Sequence, residues 1–284
     1  MIYYLETNAL YHISKFSKDI LDRSYTSIFA MLELVTGINE INFEKRRTVL
    51  SMVRDFKLTI DYALPEEIVF NSFDAFDEFE FIEKRTDKLQ YLIDEILASE
   101  NLSQYSSSVN YNAEFGAKYF RELDERISNT FIQASFSGVK EIKRTIEEAG
   151  DDCILEFEGN FHVLNTRKKM RDFLFSHRSV NNAVTINALV NMIYTAEVSA
   201  YFSIGEVFDS YNGLSNTFVE TLSHFCTDSI IGEKTPAKND FADMIHLLYL
   251  KSDPMRRIVS DDKIFQADLP SLTLSVSNLK TLSA

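Results

Sequence analysis

The sequence predicts an α/β fold with a central five-stranded, mainly parallel sheet, interrupted by a large, mostly helical insertion. Three observations point that way. Short apolar runs that stop at polar turns recur near both ends of the chain, as buried parallel strands do. Between them lie segments with helical spacing and helix-start signals, the alternation that parallel strands joined through helices require. Glycine (8) and proline (4) are scarce in the 284 residues, which favours long helices over many short strands.

Ile2–Leu5 is the first strand, ending at Glu6-Thr7-Asn8. A helix of about two turns is expected around Ala9–Phe16. Ser24–Phe29 is β-branched and aromatic and forms the second strand, followed by a helix over Ala30–Gly37 with Gly37 as its C-cap. Asn42 caps a helix carrying Val49, Leu50 and Val53 on one side. Leu58–Tyr62 is the third strand, and Pro65 with Glu66 and Glu67 starts another helix. Beyond Phe81 helical stripes take over: Leu89, Leu92, Ile93 and Ile96, then Phe115, Tyr119, Leu123, Ile127 and Phe131. Cys153–Leu164 reads as a small hairpin around Gly159-Asn160. Val184, Leu189, Met192, Ile193 and Ala196 suggest a long, well-buried helix. From Thr235 the α/β rhythm resumes, with a helix through Phe241–Leu250, a fourth strand at Arg257–Ser260 and a fifth at Leu272–Val276. The expected division is therefore 1–80 plus 236–284 for the sheet domain and 81–235 for the insertion.

Composition narrows the function classes. The net charge of −14 argues against a broad nucleic-acid-binding surface, but not against an enzyme whose acidic pocket is neutralised by bound cations. Two cysteines, Cys153 and Cys226, form no framework and no zinc motif, so a reducing, cytoplasmic setting is expected. The N-terminus lacks the pattern of a signal peptide. The most apolar stretch, Ala183–Ile204, contains Asn187, Asn191 and Glu197, so a buried helix is expected rather than a membrane span.

The chemistry-bearing residues are acids. In open parallel sheets, ligands sit beyond the carboxyl ends of the strands. Glu6 follows the first strand and Asp262 follows the fourth. Asp243 lies in the helix before that fourth strand, and Glu33 lies in the helix after the second. All four are expected at one edge of the sheet. Clustered carboxylates repel, and hard divalent cations with oxygen ligands relieve the repulsion. Such ions also acidify water and stabilise phosphoryl displacement, so metal-assisted hydrolysis is the expected chemistry. Glu33 sits inside the apolar run Phe29–Val35, which favours a cleft-facing role over a surface one.

Four sequence stretches extend this reading. YYLETNAL, TSIFAMLELVTGI, NDFADMIHLLYL and RRIVSDDKIF stand in this order along the chain. They resemble the four acidic motifs of PIN domains over roughly residues 1–80 and 236–284. The resemblance implies a PIN-like three-layer fold and Mg²⁺- or Mn²⁺-dependent ribonuclease activity on RNA. It implies that Glu6, Glu33, Asp243 and Asp262 hold metal, that Asp240 and Asp261 supplement them, and that Asn8 and Ser260 orient carboxylates or waters. The family's first acid is normally Asp; here it is Glu6. A DNA-directed nuclease with the same ions and a non-catalytic PIN-like module stay open as alternatives. So do a regulatory protein partner and a homodimer.

The remaining motifs weigh less. His246, on an apolar helix face, reads as structural. The five histidines show no zinc spacing. Arg167, Lys168, Lys169, Arg171 and Arg178 form the clearest basic cluster; contact with substrate phosphates and a solvated helix face weigh about equally. Lys45-Arg46-Arg47 reads as helix surface. There is no Gly-rich phosphate loop, no GxSxG and no Cys–His nucleophile pair.

Overall fold

A computed structural model describes residues 1–76, 85–107, 117–133, 154–164, 166–231 and 237–281, with Ser137, Lys140, Arg144 and Glu148 singly. The chain divides into two compact units. One comprises Met1–Ile68, Glu78–Ile127 and His246–Ala284; the other comprises Val69–Asp77 and Ser128–Ile245. Compared with the division expected from sequence, the helices Arg85–Ala98, Leu102–Ser107 and Ala117–Ile127 fall in the sheet-bearing unit.

The first unit is built on a five-stranded, all-parallel sheet. In chain order its strands are β1 (Ile2–Leu5), β2 (Ser24–Ser27), β3 (Thr59–Asp61), β6 (Arg256–Val259) and β7 (Thr273–Leu274). Strands β4 (Ile154–Phe157) and β5 (Asn160–Val163) belong to the second unit. The spatial order is β3-β2-β1-β6-β7. The chain thus steps outward from β1 through β2 to β3, then returns to the other side of β1. That reversal makes the boundary between β1 and β6 a topological switch point, where parallel sheets open a crevice beyond their carboxyl ends. The register aligns Leu5 with Val259, so the residues after each strand emerge side by side.

The central strands are buried. Tyr3, Tyr4 and Leu5 are each at most 3 % exposed, as are Ile258 and Val259. With no tryptophan in the chain, tyrosines fill much of this core. Tyr4 packs against Tyr25 at 5.3 Å and stacks on Tyr249 at 5.6 Å between ring centroids. Buried hydroxyls need partners, since an orphaned one costs about 1–3 kcal/mol. Tyr25 donates to the Tyr249 carbonyl and Tyr249 donates to the Ala63 carbonyl. Tyr4 finds Ser27 and His246.

Several elements differ from their sequence-based bounds, each for a local reason. β2 stops at Ser27, because the Ser27 hydroxyl accepts the Ala30 N–H and caps the helix Ile28–Thr36. The helix after β1 is the short Thr7–Leu10, capped by Glu6, with a 3₁₀ turn at Ile13–Lys15. The Asn42 side chain makes no capping bond to Phe43–Asp55; it accepts the Asn39 N–H instead. The helix expected through Leu250 ends at Ile245 and continues as a 3₁₀ segment, His246–Leu250.

In the second unit, β4 (Ile154–Phe157) and β5 (Asn160–Val163) form the expected hairpin. Glu158 and Gly159 both have positive φ, 50° and 76°, as a tight two-residue hairpin turn demands. Phe157 and His162 pack on Phe173 of the helix Arg167–Ser176. The helix Arg178–Ile193 is buried on one side only, along Asn181, Thr185, Leu189 and Ile193; Val184 is exposed and Ala196 lies past its end. Its polar core residues pair with the helix Asn216–Ile231, through Ser223–Thr185 at 2.6 Å and Thr227–Asn181 at 3.0 Å. No helix among the described residues is long and apolar enough to cross a membrane.

Candidate functional site

The tripeptide Glu6-Thr7-Asn8, at the carboxyl end of β1, connects three acids. Glu6 is 2 % exposed. Its Oε2 accepts the Asn8 backbone N–H at 2.7 Å, the bond that caps the short helix. Thr7 donates its hydroxyl to Oε2 of Glu33. Asn8 donates its side-chain amide to Oδ2 of Asp262 at 2.9 Å. Asp262 itself starts the helix Lys263–Asp268, and its backbone N–H bonds the Ser260 hydroxyl at 3.0 Å. Residues far apart in sequence, Glu6, Glu33 and Asp262, thus meet through one turn of chain.

The three carboxylates share a pattern. Each has one oxygen tied to protein donors. The other oxygens, Oε1 of Glu6, Oε1 of Glu33 and Oδ1 of Asp262, accept no hydrogen bond from the described residues. For Glu6 this is costly, because its Oε1 is buried as well as unpartnered. Burial, helped by the charges of Asp262 and Glu33, pushes the Glu6 carboxyl up to about 7 against the attraction of His246 and the Asn8 N–H. Glu33 moves the other way. Desolvation acts to raise it, but His246, Thr7 and Arg46 together outweigh that and hold it below the usual carboxylate range. The Glu33 side chain keeps 30 % of its surface open.

His246 stands behind Glu33. Its Nε2 lies 3.3 Å from Glu33 Oε2, and its Nδ1 lies 2.7 Å from the Tyr4 hydroxyl. Its ring packs against Phe29 at 4.9 Å. On the other side, Arg46 donates to the carbonyls of Glu33 and Leu34, at 2.5 and 2.8 Å, satisfying the last turn of that helix. Lys45 lies over the Tyr11 ring and Arg47 bonds the Leu97 carbonyl, so this basic triplet is a set of internal clips rather than plain helix surface. Asp124, on the helix Ala117–Ile127, adds a carboxyl within electrostatic reach of Glu33; burial raises it against a hydrogen bond with Thr36.

The other candidates are placed as follows. Asp261 accepts the Val276 N–H at 2.9 Å, tying the end of β6 to the C-terminal helix. Ser260 is fully buried. Asp240 and Asp243 lie on the helix Lys238–Ile245, in the second unit; Asp240 accepts the Ala237 N–H. Arg167, Lys168, Lys169 and Arg171 lie on the helix Arg167–Ser176, also in the second unit, where Lys168 and Lys169 are exposed and Arg171 approaches Asp172 at 3.7 Å. Burial pushes the Cys226 thiol up to about 12, which disfavours a thiolate there, and Cys153 lies outside the described residues. Thr7, Tyr4, Ser27 and Arg46 carry roles that sequence reasoning did not assign. Only Thr7 had a signal, its place between two candidate residues.

The donor set suits a hard divalent cation. A buried carboxylate oxygen with no protein partner, two further carboxylates within electrostatic reach and no thiolate are what such an ion seeks. Among the described residues, no group of three or more His, Cys, Asp or Glu forms a ready-made cage. Mg²⁺ does not require one, since it takes one or two carboxylates and keeps several waters. In comparisons with known proteins, no family model, curated protein or solved structure matches this chain.

Proposed function

We propose that the chain is a metal-dependent nuclease of PIN-like type, acting on RNA, with Glu6, Glu33 and Asp262 holding Mg²⁺ or Mn²⁺ directly or through water. The observation that carries this reading is the buried, unpartnered Oε1 of Glu6 at the sheet's switch point, beside two other acids. A divalent ion bound there would supply an acidified water and neutralise charge on a phosphodiester. The protein's own work is positioning. Asn8 fixes Glu6 and Asp262 relative to each other, and Thr7 fixes Glu33. The proposal stands without Asp243, which lies in the second unit. The basic helix Arg167–Ser176 is the proposed phosphate contact of the second unit.

The test is cleavage of labelled single-stranded RNA and DNA, side by side, with Mn²⁺ and with chelator. We expect RNA cleavage that chelator abolishes. Glu33→Gln and Asp262→Asn should lower it at least about 100-fold, a loss of roughly 2.7 kcal/mol of transition-state stabilisation. Glu6→Asp should keep or raise it, since it restores the acid that the PIN resemblance expects. Cleavage unchanged in both amide variants would remove the assignment.

A further inference from the structure

The polar groups behind Glu33 form a closed chain. Ser27 Oγ accepts the Ala30 N–H at 3.1 Å and lies 2.8 Å from the Tyr4 hydroxyl. That hydroxyl lies 2.7 Å from His246 Nδ1, and His246 Nε2 reaches Glu33 Oε2 at 3.3 Å. Both ends, Ser27 and Glu33, belong to one helix: Ser27 caps it and Glu33 lies in its second turn. The links come from β1 and from the 3₁₀ segment after Ile245. Tyr4 and Ser27 have no exposed surface, and His246 is 2 % exposed. We propose that His246, oriented by Tyr4 and Ser27, is a positioning residue that fixes which oxygen of Glu33 faces the cation. This inference rests on the metal reading above.

Hydrogen-bond direction ties the His246 ring to Glu33. An ionised carboxylate can only accept, so the nitrogen facing Glu33 must carry a proton. A lone imidazole could present either nitrogen as its donor. In the neutral ring Tyr4 resolves that choice by donating to Nδ1, which leaves the ring proton on Nε2; in the imidazolium both nitrogens donate and Nε2–H still faces Glu33. Ser27 is compatible with the same direction: its hydroxyl accepts the Ala30 N–H and keeps a proton to donate within the Tyr4–Tyr249 hydroxyl group around it. Thr7 and His246 then converge on one oxygen of Glu33, leaving Oε1 as its only unclaimed donor to a metal. Partners that orient a ligand in this way are worth about 10–100-fold in metal affinity. A histidine that merely fills the core would be indifferent to which of its nitrogens is replaced.

The experiment is Mn²⁺ titration by calorimetry on the full chain and four variants, each checked for folding by circular dichroism. In His246→Gln, the amide N–H can take the place of Nε2. In His246→Asn, it can take only that of Nδ1. Tyr4→Phe keeps the ring and removes the orienting hydroxyl. Glu33→Gln removes the ligand. We expect Gln to hold affinity within about threefold, and Asn and Tyr4→Phe to weaken it about 10-fold or more. Ring-nitrogen NMR of the wild type should show the Nε2–H form, lost or mixed in Tyr4→Phe. Equal affinities for Gln and Asn, with Tyr4→Phe unchanged, would overturn the positioning role while Glu33→Gln still upheld the metal site. No Mn²⁺ binding by the wild type, or none lost in Glu33→Gln, would overturn the metal reading and this inference with it.

Discussion

At the scale of the residue, Glu6 is the expensive side chain. A carboxylate buried with an unpartnered oxygen destabilises the fold whenever it is ionised. Its pKa is raised from 4.5 to about 7, so the folded state holds the proton more tightly than the unfolded chain does. The stability this gives is complete below pH 4.5 and disappears as pH rises through 7. A shift of that size corresponds to about 3 kcal/mol. Thermal melts of the metal-free protein should therefore show stability declining between pH 5 and 8. Glu6→Gln should flatten that decline and melt higher than wild type at pH 8. A wild-type curve that rises over the same interval would contradict the burial argument. Glu6 was legible in sequence because it directly follows an apolar strand, and Asp262 because it lies three residues past the end of another, and strand ends need no tertiary knowledge. The roles of Tyr4, Ser27 and His246 were not, because they depend on side chains meeting across 23 residues for Tyr4 and Ser27 and 242 for Tyr4 and His246.

At the scale of the element, Gly37 shows how a correct reading can have a different cause. A C-cap glycine usually serves a left-handed turn, but here its φ is −84°, open to any residue. The reason for glycine is space: a Cβ would stand 2.5–2.9 Å from the Arg46 guanidinium that satisfies the helix's last carbonyls. Gly37→Ala should cost about 1–3 kcal/mol in denaturant unfolding. Combined with Arg46→Ala, which opens the space, the cost of the alanine should largely vanish, and additive costs would refute the clash. Helix and strand existence was well legible from hydrophobic spacing. Boundaries were less so, as at Ser27, where one hydroxyl ends a strand and begins a helix. The pair Arg85–Glu67 follows similar logic: both side chains are buried, and Arg85 also bonds the Tyr62 carbonyl. Arg85→Met would strand the Glu67 charge and should cost about 3–5 kcal/mol, while Arg85→Met with Glu67→Leu should recover most of it.

At the scale of the whole molecule, the parallel order β3-β2-β1-β6-β7 does the gathering. It brings the first and fourth strands of the sheet together and so joins residues 6 and 262, from opposite ends of the sequence. The alternation of apolar runs and helices announced that sheet; the composition of the middle segment could not announce how its helices divide between two units. If the cation binds in the first unit, Mn²⁺ at about 100 times its Kd should add roughly 2.7 kcal/mol to that unit's stability. Amide exchange should slow at β1, β2 and β6, while the β4–β5 hairpin should not respond.

The claim beneath all of this is that Glu6, Glu33 and Asp262 share a divalent ion. Anomalous diffraction at the manganese edge, from crystals grown with Mn²⁺, tests it most directly. The account predicts a strong anomalous peak within about 2.0–2.6 Å of Glu6 Oε1 or Glu33 Oε1. A map with no peak beside these oxygens at saturating Mn²⁺, or with its only peak elsewhere, would contradict it.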